Sequence, residues 1–429
     1  MKLPAYPKYK PSGVEWLGDV PEDWEIKKLR YLALLKSGEN ITSEQLEEEA
    51  TFPVYGGNGL RGYSTRFTHD GDYVLIGRQG ALCGNINYAK GKFWASEHAV
   101  VVQPLAKFAT FWMGETLRAM NLNQYAVSAA QPGLAVDKVS ALKIPVPPSN
   151  EQRAIADFLD RQTARLDTLV GKKRELIEKL KEKRTALISR TVTRGLPPAA
   201  ARAAGVNPKP KLKPSGIEWL SEIPEHWDVV AYKRVCTRVD VGIAEAATHA
   251  YTDDGVPIIR STNVKPNRLD TSDVLRIEPW FAEKNLSKTL HAGDLVTVRT
   301  GYPGTTAVIP PDFEGSQCFT LVISTPKRTA HGPFFSWVMN SDPGISYFET
   351  EGWGTAQTNI SVPIVQFMPV PRPPVSEQRA ISGYLDHETA KLDRMMEKVK
   401  AAIETLQEYR IALITAAVTG KIDVRRAVA

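Results

Sequence analysis

The chain contains two copies of the same pair of motifs, and this internal repeat limits the possible architecture more than any other feature. Residues 10–24 have the sequence KPSGVEWLGDVPEDW, and residues 213–227 have KPSGIEWLSEIPEHW. Residues 151–167 have the sequence EQRAIADFLDRQTARLD, and residues 377–393 have EQRAISGYLDHETAKLD. A repeat of this kind indicates that each half folds as the same structural unit. Each half therefore has the order short motif, divergent region, long helix.

The predicted domain boundaries follow the repeats. They give an N-terminal repeated segment (1–25), a first divergent domain (26–146), a first long helix (147–196), a basic linker with the second repeated segment (197–228), a second divergent domain (229–372) and a second long helix with a tail (373–429). Short β-type runs broken by glycine, such as residues 73–76 and 320–323, predict that each divergent region mixes strands and helices. The predicted fold class is α+β, with two small α/β domains separated by two long helices.

Apolar residues at spacings of three and four predict that both long helices are amphipathic. The stripe on the first helix is Leu166, Leu169, Leu176, Leu180 and Leu187, and the stripe on the second is Leu392, Met395, Val399, Ile403, Leu406 and Leu413. A long helix with one apolar stripe needs a partner, so the two stripes are expected to pack together as a coiled coil. Antiparallel packing with pseudo-twofold symmetry is expected, because each helix leaves its own domain.

Composition indicates a soluble globular protein. The net charge is +6, and Lys and Arg are concentrated in residues 172–213. This basic segment is either a solvated helix face with a flexible linker or a surface that meets a polyanion. The three cysteines are far apart, which argues against a disulfide framework or a zinc site and fits a reducing cytoplasm. No apolar run is long enough to cross a membrane.

Catalytic signatures are missing from the sequence. It contains no GxxxxGK[ST] phosphate loop and no HExxH or GxSxG motif. No catalytic residue and no metal ligand is therefore predicted, and the missing motifs weaken an enzyme interpretation without excluding one.

Polar segments flanked by glycine occur at matched places in both divergent regions. Arg-x-Gly follows a strand in each region, and Ala-Gln precedes each long helix. Arginine can bind guanine, and Asn or Gln can bind adenine, through two parallel hydrogen bonds. Tyr and Thr hydroxyl groups can reach phosphates. Taken singly, such segments are also typical of hairpin turns, but their recurrence favours DNA binding. The candidate DNA-binding residues are Asn58, Arg61, Tyr63, Arg78, Gln79, Gln131, Arg260, Thr262, Asn263, Arg299, Thr300, Tyr302, Gln357 and Asn359.

Over nearly its whole length the chain resembles the specificity subunits of type I restriction–modification systems. The resemblance rests on SG[VI]EWL…PE[DH]W at 12–24 and 215–227, on PPxxEQRAI at 147–155 and 373–381, and on ALI…VT at 186–193 and 412–419. It implies that two target-recognition domains each bind one half of a bipartite site in double-stranded DNA, in the major groove. It also implies that the paired helices act as a spacer.

The same resemblance implies the partners. Two modification (methyltransferase) subunits are expected to dock on the repeated frame and to methylate an adenine in each half-site. Restriction/translocase subunits are expected to join for cleavage. S-adenosylmethionine, ATP and Mg are expected on those partner subunits, and no cofactor is expected on this chain.

Two other functions remain open on the sequence alone. A stand-alone DNA-modifying enzyme would need a cofactor pocket that no motif indicates, and methyl transfer by the purified chain would support it. A coiled-coil scaffold that binds only protein would leave the two unlike divergent regions unexplained. A gel shift with random duplex would separate the scaffold from a DNA-binding subunit.

Overall fold

The computed structural model describes residues 4–80, 82–126, 133–245, 248–352, 354 and 359–425. The chain divides into two compact units. Unit 1 consists of Met1–Arg174 and Val399–Ala429, and unit 2 consists of Glu175–Lys398. Each unit therefore contains one divergent region, the beginning of one long helix and the end of the other.

The elements of unit 1 precede and open the first long helix. The strands are β1 (Tyr9–Pro11), β2 (Asp19–Pro21), β3 (Glu25–Lys28), β4 (Ala33–Ser37), β5 (Phe52–Gly56), β6 (Gly59–Ser64), β7 (His69–Asp70), β8 (Tyr73–Gly77), β9 (Ile86–Ala89), β10 (Lys92–Ala95), β11 (Ala99–Pro104) and β12 (Lys143–Val146). The helices are α1 (Thr110–Ala119), α2 (Val136–Ser140) and α3 (Ser149–Arg194), which passes into unit 2 after Arg174.

The elements of unit 2 follow in the same general order. The strands are β13 (Leu212–Pro214), β14 (Glu222–Pro224), β15 (Asp228–Ala231), β16 (Cys236–Val241), β17 (Tyr251–Thr252), β18 (Val256–Ile259), β19 (Val264–Lys265), β20 (Arg268–Leu269), β21 (Leu275–Ile277), β22 (Leu295–Thr297), β23 (Thr306–Val308), β24 (Gln317–Cys318), β25 (Val322–Pro326) and β26 (Pro369–Arg372). The helices are α4 (Pro198–Ala203), α5 (Pro279–Lys284), α6 (Gly332–Met339), α7 (Asp342–Glu351), α8 (Val362–Phe367) and α9 (Val375–Val418), which passes into unit 1 at Val399.

The two divergent regions share one core sheet. Its order is β4-β11-β8-β9 in unit 1 and β16-β25-β22-β23 in unit 2, and all neighbouring strands in both sheets are antiparallel. In unit 1 the strands are buried on both faces: Val74 and Ile76 join one hydrophobic cluster, and Leu75 between them joins another. This explains the near-continuous apolar runs in the sequence. A parallel pair is also shared, β5 with β10 and β18 with β24.

The long helices pair antiparallel within each unit, as predicted. In unit 1 the first turns of α3 and the last turns of α9 share a hydrophobic cluster, and Arg410 forms an ion pair of 3.1 Å with Asp167. In unit 2 the last turns of α3 pack with the first turns of α9, and Arg184 lies 3.0 Å from Asp393. Asp167 aligns with Asp393 in the repeat, and Arg184 aligns with Arg410. The two ion pairs are thus the same pair, formed once in each unit with the roles of the helices exchanged.

The predicted stripe was partly wrong. Leu180 is buried, but Leu169 and Leu176 are exposed, and on α9 Met395 is exposed as well. The neighbouring residues Val170 and Ile177 are buried instead. Spacings of three and four through Leu166, Val170, Ile177 and Leu180 keep one face of the helix, whereas leucines one position earlier turn by about 100° away from it.

The repeated Glu-Gln pair attaches each long helix to its divergent region. Gln152 donates to the carbonyl of Pro147 (2.9 Å) and accepts from the backbone N–H of Ala109, which caps α1. Gln378 does the same with the carbonyl of Pro373 (2.8 Å) and with the N–H of His331, which caps α6. Both amides are buried. The repeat therefore encodes the same joint twice.

The glutamates of this pair hold the short repeated motifs. Glu377 is hydrogen-bonded to His226 (2.9 Å) and accepts from the indole N–H of Trp227 (3.1 Å). Glu151 accepts instead from the hydroxyl of Tyr6. The second copy of the motif is thus a docking segment for the start of α9, whereas the start of α3 is held by Tyr6, which precedes the first copy. Among the described helices, none is long and apolar enough to span a membrane.

Candidate nucleic-acid interface

In each unit, a loop with the same closing hydrogen bonds follows the second core-sheet strand in chain order. This strand is β8 in unit 1 and β22 in unit 2. The first arginine loop contains the described residues 78–80 and 82–84, and the second spans residues 299–304. The first is closed by Gly77 N–H to Asn85 O (2.8 Å) and Gly84 N–H to Gly77 O (2.7 Å). The second is closed by Val298 N–H to Thr305 O (2.9 Å) and Gly304 N–H to Val298 O (2.9 Å).

Glycines at matched positions allow this shape. Gly80 and Gly301 have φ angles of 90° and 95°, and Gly84 and Gly304 have φ angles of 85° and 88°. These left-handed values disfavour any residue with a Cβ. The glycines that flank both arginines in the sequence are therefore explained by the loop backbone.

Each arginine loop pairs with the segment that follows the Ala-Gln motif. Leu134 N–H donates to Arg78 O (2.9 Å), and Ile360 N–H donates to Arg299 O (3.0 Å). The next residues form matching bridges, Gln79 with Gly133 and Thr300 with Asn359. The two sequence recurrences are therefore neighbours in space in both units. Gln131 and Gln357 themselves lie outside the described residues.

Both loop arginines are half-buried and keep donors available. Arg78 uses Nη1 to donate to the Ser37 hydroxyl (3.1 Å), and Arg299 uses Nε to donate to the Ile360 carbonyl (3.0 Å). Neither forms an ion pair with a described residue. One hydrogen bond orients each guanidinium, and the described residues leave a two-donor edge without a partner, Nε with Nη2 in Arg78 and Nη1 with Nη2 in Arg299. Such an edge matches the two acceptors of guanine or a phosphate.

In unit 1 a second loop lies beside the first arginine loop. Asn58, at the β5–β6 turn, accepts from the side-chain amide of Asn85 (3.1 Å). Gly57 lies so close to the Gln79 carbonyl that a Cβ would sit 3.4 Å from it. Arg61 is exposed and its side chain folds over Gly56, while Tyr63 is half-buried on β6. The turn that carries Asn58 therefore lies beside Gln79 of the first arginine loop, and Arg61 lies on the same hairpin as Asn58.

In unit 2 the candidates fall into two groups. Thr300 donates to the Asn359 side chain, and Tyr302 at the loop tip is exposed, so both lie on the arginine loop with Arg299. Arg260 instead donates to the carbonyl and carboxylate of Asp273, both at 2.8 Å. Thr262 is exposed in the same turn.

Asn263 requires a correction. Its side chain is 3% exposed, and its amide donates to the carbonyls of Asp270 (3.1 Å) and Asp273 (2.9 Å). A base could reach this group only if the turn opened, so we assign Asn263 a role in holding the turn. Its sequence context, Ser-Thr-Asn before a short strand, is equally typical of such a turn.

The described residues offer no metal or nucleophile site. No cluster of His, Cys, Asp and Glu among them could hold a metal ion. Cys83, Cys236 and Cys318 are buried, and burial raises the pKa of Cys236 and of Cys318 to about 12. Such thiols stay protonated at neutral pH and are poor nucleophiles.

Sequence reasoning missed several residues of this surface. Ser37 and Asn85 orient predicted residues from other strands, and only the fold brings them there. Leu82 is on the first arginine loop and is exposed. Its position within the Arg-x-Gly loop was the one available signal.

Comparison with known proteins finds sequence similarity to one family over part of the chain. Residues 21–179 match the type I restriction modification DNA specificity domain. The type I restriction enzyme EcoprrI specificity subunit of Escherichia coli is 46% identical over 175 residues, which are 40% of this chain and 42% of that protein. The MjaVIII specificity subunit of Methanocaldococcus jannaschii is 22% identical over 95% of this chain and 94% of its own length. The match with the Escherichia coli relative thus spans well under half of that protein.

Solved structures show the same fold. A chain from a study of complex assembly and conformational transition in the type I R-M system aligns with a TM-score of 0.69 at 16% identity, over 94% of this chain and 99% of its own. The HsdS subunit of Thermoanaerobacter tengcongensis aligns with a TM-score of 0.55 at 16% identity, over 94% and 98%. These matches show that the chain has the fold of these structures, and that residues 21–179 are similar in sequence to the type I restriction modification DNA specificity domain.

Proposed function

We propose that this chain selects the DNA target of a type I complex, and that each divergent region binds one half of a bipartite, asymmetric site. The observation that carries the proposal is the pair of arginine loops. Two regions of unlike sequence present them from the same core sheet, with an oriented arginine in each. Equivalent loops with different side chains suit two different half-sites.

The chain would contribute recognition and leave the chemistry to partners. Two modification subunits, with S-adenosylmethionine, would methylate one adenine in each half-site. Restriction/translocase subunits, with ATP and Mg, would act on unmethylated DNA in the cytoplasm. The buried thiols and the lack of catalytic motifs are consistent with a non-catalytic role for this subunit.

Methylation-sensitive sequencing of DNA from cells that express the complete operon tests the proposal. We expect one bipartite motif with two unlike halves and an unread gap of fixed length. A single contiguous or palindromic target would contradict it. As a matched experiment, exchange of residues 26–145 for the equivalent region of another specificity subunit should change one half-site and leave the other half-site unchanged.

A further inference from the structure

Each arginine loop exposes one large apolar side chain at its tip. Leu82 is 54% exposed, and Tyr302 is 83% exposed. Leu82 lies between Gly80 and Gly84, and Tyr302 lies between Gly301 and Gly304. Single exposed apolar residues are common on protein surfaces. Two of them at matched places, each a few residues after the loop arginine, in regions of unlike sequence, form a pattern.

Contacts with neighbouring elements hold both loop tips in place. In unit 1, Cys83 follows Leu82 and is buried, and Asn123 donates to its carbonyl (3.1 Å) and to its sulfur (3.3 Å). In unit 2, Gly304 rests against Phe348, so closely that a Cβ would lie 2.2 Å from the ring. Leu82 and Tyr302 therefore project from anchored loops, and presenting them to a ligand costs little ordering entropy.

The ligand that fits this combination is an apolar group beside a guanine or phosphate. In the DNA major groove, the thymine 5-methyl is the apolar group that the base edges present, and apolar side chains pack on it. Wedges that insert between base pairs are typical of minor-groove binders. Because the arginine of the same loop is proposed to bind in the major groove, a contact with the thymine methyl is favoured over a wedge.

We propose that Leu82 and Tyr302 are specificity-determining residues that each pack on a thymine 5-methyl group, next to the position bound by the loop arginine. The inference rests on the proposed function and deepens it. Each half-site should then contain a thymine at one position that tolerates no other base well.

Deoxyuridine, which lacks the 5-methyl group, tests the contact directly. In duplexes with the target found by sequencing, each thymine is replaced singly, and binding by the full chain with its modification subunits is measured by competition. We expect a three- to tenfold loss at one position in each half-site, about the effect of one buried methyl group. Leu82→Ala should remove the sensitivity to deoxyuridine in one half only, and Tyr302→Ala in the other half only.

The matched controls are Leu105→Ala in unit 1 and Leu286→Ala in unit 2, which alter exposed leucines outside the arginine loops. Both should keep the wild-type sensitivity to deoxyuridine. The inference fails if wild type binds its bipartite site but no deoxyuridine weakens binding, or if Leu82→Ala and Tyr302→Ala keep the sensitivity. A further measurement is the fluorescence of 2-aminopurine placed in the target duplex. A rise on binding by wild type that is absent with Leu82→Ala would show that Leu82 inserts between base pairs instead. Absence of any bipartite target would overturn the proposed function as well.

Discussion

Among the described residues, Arg78 and Arg299 each donate one hydrogen bond to the protein, which leaves each guanidinium with a two-donor edge. If Arg78 binds guanine, Arg78→Ala should weaken binding by about 1–3 kcal/mol and relax specificity in one half-site only. Arg78→Lys should lose nearly as much, because lysine keeps the charge but has no planar pair of donors. Competition with duplexes altered in each half-site measures both effects. Near-wild-type binding by the lysine variant would show a phosphate contact instead.

Tyr6 forms a buried contact that we expect to contribute to the stability of the fold. Its hydroxyl donates to Glu151, whose carboxylate is buried, and Arg425 lies over its ring at 4.9 Å. Tyr6→Phe should cost about 1–3 kcal/mol, because it leaves that carboxylate without this donor. Tyr31→Phe, at an exposed tyrosine, is the control and should be nearly neutral. Thermal unfolding measures the difference, and equal melting temperatures would contradict it.

The same contact has a predictable pH dependence. Burial, followed by the hydrogen bond to Glu151, raises the pKa of Tyr6. A raised folded-state pKa means that the contribution is complete below the ordinary tyrosine pKa of about 10 and is lost as the pH rises further. The stability gap between wild type and Tyr6→Phe should therefore be constant near neutral pH and shrink only in strong alkali.

Among single residues, sequence reasoning succeeded where a pattern recurred. Arg78 and Arg299 were singled out because Arg-x-Gly appears twice, and the fold gives them the same backbone environment. The prediction that Asn263 binds DNA did not allow for its burial in the turn. The sequence of a polar turn is the same whether the amide faces solvent or the turn. Leu82 was missed because one leucine carries no periodicity.

At the scale of elements, the existence and antiparallel pairing of the long helices followed from the repeat, but the buried face did not. Leu176 and Ile177 are adjacent, and either fits a stripe with Leu180. Ile177→Ala should cost about 2–4 kcal/mol, because it leaves a cavity at a buried position. Leu176→Ala, the neighbouring control, should change stability by less than about 0.5 kcal/mol. Chemical denaturation followed by circular dichroism compares them, and a larger loss from the exposed leucine would contradict the assignment.

For the core sheets, the presence of strands could be predicted from the sequence but their order could not. The β-type runs in both divergent regions predicted strands, yet nothing in their sequences indicated a common strand order. Strand order depends on pairings between residues far apart, such as Val102 with Val74 and with Leu35. These pairings leave no local signal in a single sequence.

At the scale of the whole molecule, α3 and α9 each pass from one unit into the other. Under the proposed function, we expect their length to set the gap in the target. A heptad inserted after Ile177 and another after Ile403 would fall between the two ion pairs and preserve both of them. The insertions add roughly 10 Å to each helix. The variant should therefore prefer a gap about three base pairs longer, at ~3.4 Å per base pair.

Selection from duplexes with randomised gaps, using the complex with its modification subunits, gives the preferred length. A heptad in α3 alone is the control. It would shift one helix against the other and should reduce stability without giving a new preferred gap. An unchanged gap in the doubly lengthened variant would show that the helices do not act as the spacer.

The joint formed by Gln152 and Gln378 has a consequence for the evolution of new targets. Each glutamine accepts from one backbone N–H of its divergent region, that of Ala109 or His331, and donates to a proline carbonyl of the repeated motif itself, Pro147 or Pro373. The joint therefore places little demand on the side chains that the inserted region brings. Recombination between genes, with crossovers in the repeated flanks, would then exchange one region for an unrelated one in a single step, and under the proposed function it would give the subunit a new half-site.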